Sequence, residues 1–103
     1  MTETNIIKDT LLEELDRNLR SQRVYELERA KLPCGSVTVR LRGNKTYCYL
    51  KYREGARTVT QYVGAANLVE DKLRKQVARR KELESVIRRL RLEEKYIEKA
   101  LRH

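Results

Sequence analysis

The sequence predicts an α+β fold in which a long helix, a three-stranded antiparallel β-meander and a very long, coiled-coil-like C-terminal helix follow one another. Three observations carry that expectation. Apolar residues recur at helical spacing before Pro33, apolar and polar residues alternate between glycines from residue 36 to 63, and the stretch from Asn67 to His103 contains neither Gly nor Pro. At 103 residues the chain has room for a single domain over 1–103 with a thin core. The expected elements are a helix over 4–32, a meander over 35–64 and a helix over 67–102.

In the first element Ile7, Leu11, Leu15 and Leu19 recur at helical spacing, supported by Leu12, before the pattern shifts phase to Val24 and Leu27. This reads as an amphipathic helix. It should end at Leu32-Pro33, because a residue before proline is pushed out of the helical region, and Cys34-Gly35 adds a flexible break.

Residues 36–42 put Val37, Val39 and Leu41 on one face and Thr38, Arg40 and Arg42 on the other, as in a half-buried strand. Gly43-Asn44 is a turn dipeptide, Thr46 to Arg53 is a second, Tyr-rich strand, Glu54-Gly55 is a second turn, and Ala56 to Val63 is a third strand closed by Gly64. A two-residue first turn sets Val39 opposite Cys48, Val37 opposite Leu50, Arg40 opposite Tyr47 and Thr38 opposite Tyr49. A two-residue turn at Glu54-Gly55 then sets Lys51 opposite Thr58, Tyr49 opposite Thr60 and Tyr47 opposite Tyr62. The face expected to pack on helix is Val37, Val39, Leu41, Cys48, Leu50, Tyr52 and Val59; the other is Arg40, Arg42, Tyr47, Tyr49, Lys51, Arg53 and Tyr62. A three-residue first turn would instead carry Tyr47 and Tyr49 to the core side.

Asn67-Leu-Val-Glu70 looks like a capping box, with Asp71 adding negative charge at the helix start. The helix that follows bears an apolar seam of Val69, Leu73, Leu83, Ile87, Leu90, Ile97 and Leu101, flawed by Gln76, Arg80 and Glu94. At about 1.5 Å per residue it extends about 52 Å, beyond what a three-stranded sheet covers. Leu83, Ile87, Leu90, Ile97 and Leu101 must therefore pack on the first helix or on a second copy, and the expectation is a homodimer.

Lys and Arg number 24 against 15 Asp and Glu, a formal net charge of +9, so a polyanion or an acidic protein face is the natural partner. The excess is not spread evenly. Residues 1–33 are nearly neutral, whereas in residues 34–64 Arg40, Arg42, Lys45, Lys51, Arg53 and Arg57 face Glu54 alone. Basic side chains interleaved with tyrosines suit nucleic acid, because cations neutralise phosphates and aromatic rings stack on bases; cross-strand tyrosine packing under solubilising charge is the plainer reading. In the last helix Arg74, Lys81, Arg88, Lys95 and Arg102 recur every seven residues, yet Glu70, Glu84 and Glu98 stand four residues before three of them. The cluster Lys72, Arg74, Lys75, Arg79, Arg80 and Lys81 is less compensated.

The expected binding surface is therefore Arg40, Arg42, Lys45, Tyr47, Tyr49, Lys51, Arg53, Arg57 and Tyr62, joined by Lys72, Lys75, Arg79 and Arg80. No catalytic, metal or cofactor site is expected: the two cysteines, Cys34 and Cys48, lack CxxC spacing, the single histidine is His103, and no Gly-rich phosphate loop is present. Two reduced cysteines, the absence of a leader-like start in MTETNIIKDT and the absence of a membrane-length apolar run place the protein in the cytoplasm of a bacterial or phage-infected cell.

Leu32-Pro-Cys-Gly-Ser36, Tyr47-Cys-Tyr-Leu-Lys-Tyr-Arg-Glu-Gly55 and Val59-Thr-Gln-Tyr-Val-Gly64 followed by a charged helix resemble a group of small basic bacterial and phage proteins found around mobile elements. A similar Tyr-rich meander looks like the N-terminal region of some transposases, and arm-binding domains of tyrosine integrases are similar in architecture. Cys48 stands where such motifs more often carry an aromatic residue. The resemblance implies a non-catalytic accessory protein that binds DNA, RNA or a nucleoprotein. The alternatives it implies are an anti-CRISPR inhibitor that binds a Cas effector directly, and a coiled-coil adaptor or antitoxin-like protein.

Overall fold

The computed structural model describes residues 3–102, with side chains from residue 6 onward. Helix α1 spans Glu3–Ala30, strands β1, β2 and β3 span Ser36–Arg42, Lys45–Glu54 and Arg57–Ala65, and helix α2 spans Ala66–Leu101. The fold is α+β, with one antiparallel sheet in the order β1-β2-β3. The single domain expected over 1–103 resolves into two compact units, 31–82 and the pair of segments 1–30 and 83–103, and α2 contributes to both.

In the 31–82 unit the first hairpin has the predicted register, with Val37 opposite Leu50, Val39 opposite Cys48 and Arg40 opposite Tyr47. Gly43 takes the first of the two loop positions with φ of 63°, which glycine adopts without the Cβ penalty of other residues. The same rule corrects the second hairpin. Gly55, again at φ 63°, is the first loop residue rather than the second, so the turn is Gly55-Ala56 and Glu54 pairs with Arg57. Lys51 then lies opposite Thr60 instead of Thr58, and Tyr49 opposite Tyr62 instead of Thr60. Because the register moves by two residues, every side chain keeps its face. Beyond Tyr62 the ladder slips: Cys48 pairs with Gly64 and Tyr47 with Ala65, which leaves Val63 as the extra residue of a β-bulge. β3 therefore runs through Gly64, and α2 follows at once.

The core of this unit is Cys48, Leu50, Ala66, Leu73 and Val77, with Val37, Val39, Tyr52 and Val69 packed against it. Leu41, expected on the core face, is 70% exposed, because it lies at the hairpin end of β1 outside that cluster. The capping box does not form as expected: α2 opens at Ala66, so Asn67 lies within its first turn, and Glu70 turns forward to Arg74 at 2.8 Å. Arg80 also turns inward, donating through Nη1 to the Leu32 carbonyl at 2.6 Å, and so ties the segment after α1 to α2.

In the other unit α1 and residues 83–101 form an antiparallel helical pair: Arg29 lies 3.8 Å from Glu84, while Asn18, eleven residues earlier in α1, donates to the Leu90 carbonyl at 2.9 Å. The covered stripe of α1 is Leu11, Leu15, Asn18, Gln22, Tyr25 and Arg29, which alternates steps of four and three residues. The apolar pattern of α1 is thus not the inward one. Leu12, Leu19, Val24 and Leu27 are exposed, and α1 has little net amphipathicity. On α2 the facing stripe is Leu83, Ile87, Leu90, Glu94, Ile97 and Leu101, with Leu83 and Ile87 only 1% and 3% exposed. Gln22 Nε2 donates to Asn18 Oδ1 and to Glu94 Oε1, each at 2.7 Å, so the polar flaw of the seam meets polar partners. Glu26 pairs with Arg29 at 2.7 Å and with Arg91. The chain's own first helix therefore buries the part of the seam on which the expected homodimer rested.

Candidate nucleic-acid interface

Strand alternation builds the candidate surface. With Cys48 and Leu50 turned into the core against α2, their neighbours on β2 turn the other way, and the register carries this choice to both flanking strands. The open face holds Thr38, Arg40 and Arg42 from β1, Lys45, Tyr47, Tyr49, Lys51 and Arg53 from β2, and Thr58, Thr60 and Tyr62 from β3. Arg40, Arg42, Lys45, Lys51 and Arg53 are all exposed. No acidic residue occupies this parity, since Glu54 falls on the other one opposite Arg57. That pairing separates Arg57 from the predicted set: it sits at the far turn on the parity of Tyr52 and Val59.

The three tyrosines form one patch. Tyr62 stands 5.7 Å from Tyr49 in an edge arrangement and 6.1 Å from Tyr47 in a tilted one, centroid to centroid. The Arg40 guanidinium lies over the Tyr49 ring at 5.0 Å from its centroid, a cation–π contact worth about 0.5–1 kcal/mol at an exposed site. Tyr47 and Tyr49 are consequently half-buried by their neighbours on the sheet, whereas Tyr62 is exposed. Neighbouring strands bring Arg40 and Tyr62 to either side of Tyr49, a juxtaposition that the corrected second register creates.

The basic residues expected from α2 are differently placed. Lys75 pairs with Asp71 at 3.3 Å, Arg74 with Glu70 at 2.8 Å and Arg79 with Glu82 at 3.3 Å, each within one or two turns of the helix. Arg80 is engaged with the Leu32 carbonyl, and Lys72 is exposed. Lys72, Lys75 and Arg79 instead line a shallow groove with Leu32 and Leu68, the latter 78% exposed. Sequence reasoning passed over Leu68 because it lies outside the helix seam. It also passed over Thr38, Thr58 and Thr60, whose hydroxyls share the open face, although the same alternation that picked out the tyrosines would have found them.

Behind the sheet Cys48 is fully buried, and burial, followed by the nearby Glu70, pushes its thiol pKa up, with Arg74 opposing. Cys34 is exposed, and both cysteines are free. Among the described residues no group of three or more His, Cys, Asp and Glu side chains could hold a metal ion, and no helix is long and apolar enough to cross a membrane. His103 lies outside the described residues.

These features define an α+β protein whose three-stranded sheet packs one face on a helix and presents a basic, tyrosine-lined face on the other side. Residues 8–75 match the family described as Domain of unknown function (DUF6788), and the chain belongs to that family. The matched span holds the whole open face and ends before Leu83, where the distal seam begins. No curated protein and no solved structure matches the chain.

Proposed function

We propose that this protein is a non-catalytic nucleic-acid-binding accessory factor that grips its target with the open face of the sheet. The observation that carries the reading is the concentration of Arg40, Arg42, Lys45, Lys51 and Arg53 around the Tyr47, Tyr49 and Tyr62 patch, with no carboxylate on that face. Uncompensated cations exchange condensed counterions for phosphates, and the tyrosines supply rigid, hydrogen-bonding contact area. The resemblance to mobile-element proteins and the two free cysteines support a role in the bacterial or phage-infected cytoplasm.

Fluorescence anisotropy with labelled nucleic acid over a salt series tests the proposal. Five phosphate contacts would make log K fall with log salt at a slope of about −4.5 on B-form DNA. The double variant Arg40→Glu with Arg53→Glu should lower affinity at least tenfold and flatten the slope by about 2, while the helical circular-dichroism signal stays unchanged. Undiminished affinity in that variant would refute the sheet-face reading.

A second reading, direct contact with an acidic protein face such as that of a Cas effector, rests on exposed Leu68 beside Lys72, Lys75 and Arg79. Such docking should persist at salt concentrations that release nucleic acid, and should be lost in Leu68→Glu.

A further inference from the structure

We infer that the open sheet face reads duplex DNA from the major groove and does not hold a single strand; the inference rests on the nucleic-acid reading above. The ring geometry carries it. Successive unpaired bases need aromatic platforms that lie parallel to one another, so that each base can cover a ring face. Here the planes of Tyr47 and Tyr62 are inclined at 58° and those of Tyr49 and Tyr62 at 61°. One face of Tyr49 is further occupied by the Arg40 guanidinium. A base stacked on one of these rings would collide with the neighbouring ring or displace the arginine. What the patch offers outward is ring edges, phenol hydroxyls, threonine hydroxyls and guanidinium and ammonium heads, which are the groups that address base edges and phosphates.

The dimensions agree. Strands about 4.8 Å apart make a three-stranded sheet about 10 Å wide between its outer axes, which matches the roughly 12 Å major groove of B-form DNA. β2 runs down the middle and carries Tyr47, Tyr49 and Lys51 over the groove floor. Arg40 and Arg42 on the β1 edge, with Lys45 and Arg53 near the two ends of β2, reach toward the phosphate walls. The deep, narrow major groove of A-form RNA would not admit the same surface.

The test uses the full chain with four labelled probes: a short duplex DNA, each of its two strands alone, and the matching duplex RNA. The expected result is duplex DNA bound about tenfold or more tighter than either single strand or duplex RNA. Dimethyl sulfate footprinting should show protection of guanine N7, which faces the major groove, and not of adenine N3 in the minor groove. Equal or tighter binding of a single strand, comparable binding of duplex RNA, or protection confined to adenine N3 would overturn the inference while leaving the nucleic-acid reading in place. Failure to bind any of the four probes at low salt would overturn that reading itself.

Discussion

Replacing Gly35 by alanine tests how β1 is held against β2, and through it the position of Arg40 over Tyr49. Gly35 has φ of 121°, and a Cβ there would lie 2.3 Å from the Lys51 carbonyl oxygen and 3.0 Å from the Tyr52 Cβ. Two costs add. An L-residue at positive φ loses about 1–2 kcal/mol, of which about 0.4–1 kcal/mol is returned because alanine narrows the unfolded ensemble. Gly43 isolates that part: its φ is 63°, and a Cβ there meets nothing within 4 Å, so Gly43→Ala should cost only about 0.5–1 kcal/mol. At Gly35 the clash is with main chain, which cannot rotate away as a side chain would. The Ser36 to Lys51 end of the ladder must open, and Gly35→Ala should cost about 3 kcal/mol or more, near the upper range for strained backbone and overpacking. Urea unfolding followed by circular dichroism gives both values in parallel. If the two variants unfolded within about 0.5 kcal/mol of each other, the close approach of Gly35 to Lys51 would be wrong.

Three further outcomes follow from the packing. Asn18→Ala removes the donor to the Leu90 carbonyl and the acceptor for Gln22, and should destabilise the helical pair by about 1–3 kcal/mol; an unchanged urea midpoint would show that these groups are satisfied by water. Leu83→Ala should cost about 2–5 kcal/mol independently of protein concentration, with sedimentation giving a 12.3 kDa species, whereas a midpoint that rises with concentration would mean that a second copy covers the seam. A thiol reagent should label Cys34 at once and Cys48 only on unfolding. Because the folded Cys48 pKa lies above its unfolded value, the stability linked to this thiol is complete below the ordinary thiol range and declines as pH rises through it; stability that increased over that range would contradict the burial of Cys48.

Much of the candidate surface was legible because strand alternation and turn chemistry are local. Val37, Val39, Cys48 and Leu50 declare one face, Arg40, Tyr47, Tyr49 and Lys51 the other, and a turn at Gly43-Asn44 fixes the first register without reference to the rest of the chain. The second register was legible too, had Gly55 been given the first loop position that Gly43 occupies. The bulge at Val63 was not, since nothing local marks it, and it decides that Tyr47 pairs with Ala65 while its ring meets Tyr62 diagonally.

What only the tertiary structure decided is what each helix covers. The hydrophobicity of α1 points to Leu12, Leu19, Val24 and Leu27, yet these are exposed, and the stripe that turns inward includes Asn18 and Gln22. A hydropathy pattern scores each residue against water, whereas a polar side chain can be buried when a distant partner satisfies it, as the Leu90 carbonyl and Glu94 do here. Arg80 illustrates the same limit. As a basic residue in a basic cluster it reads as surface, and the Leu32 carbonyl, 48 positions earlier in the chain, turns it inward. Periodicity and turn residues are properties of neighbouring positions and can be read along the chain; hydrogen-bond partners far apart in sequence come together only when the fold closes.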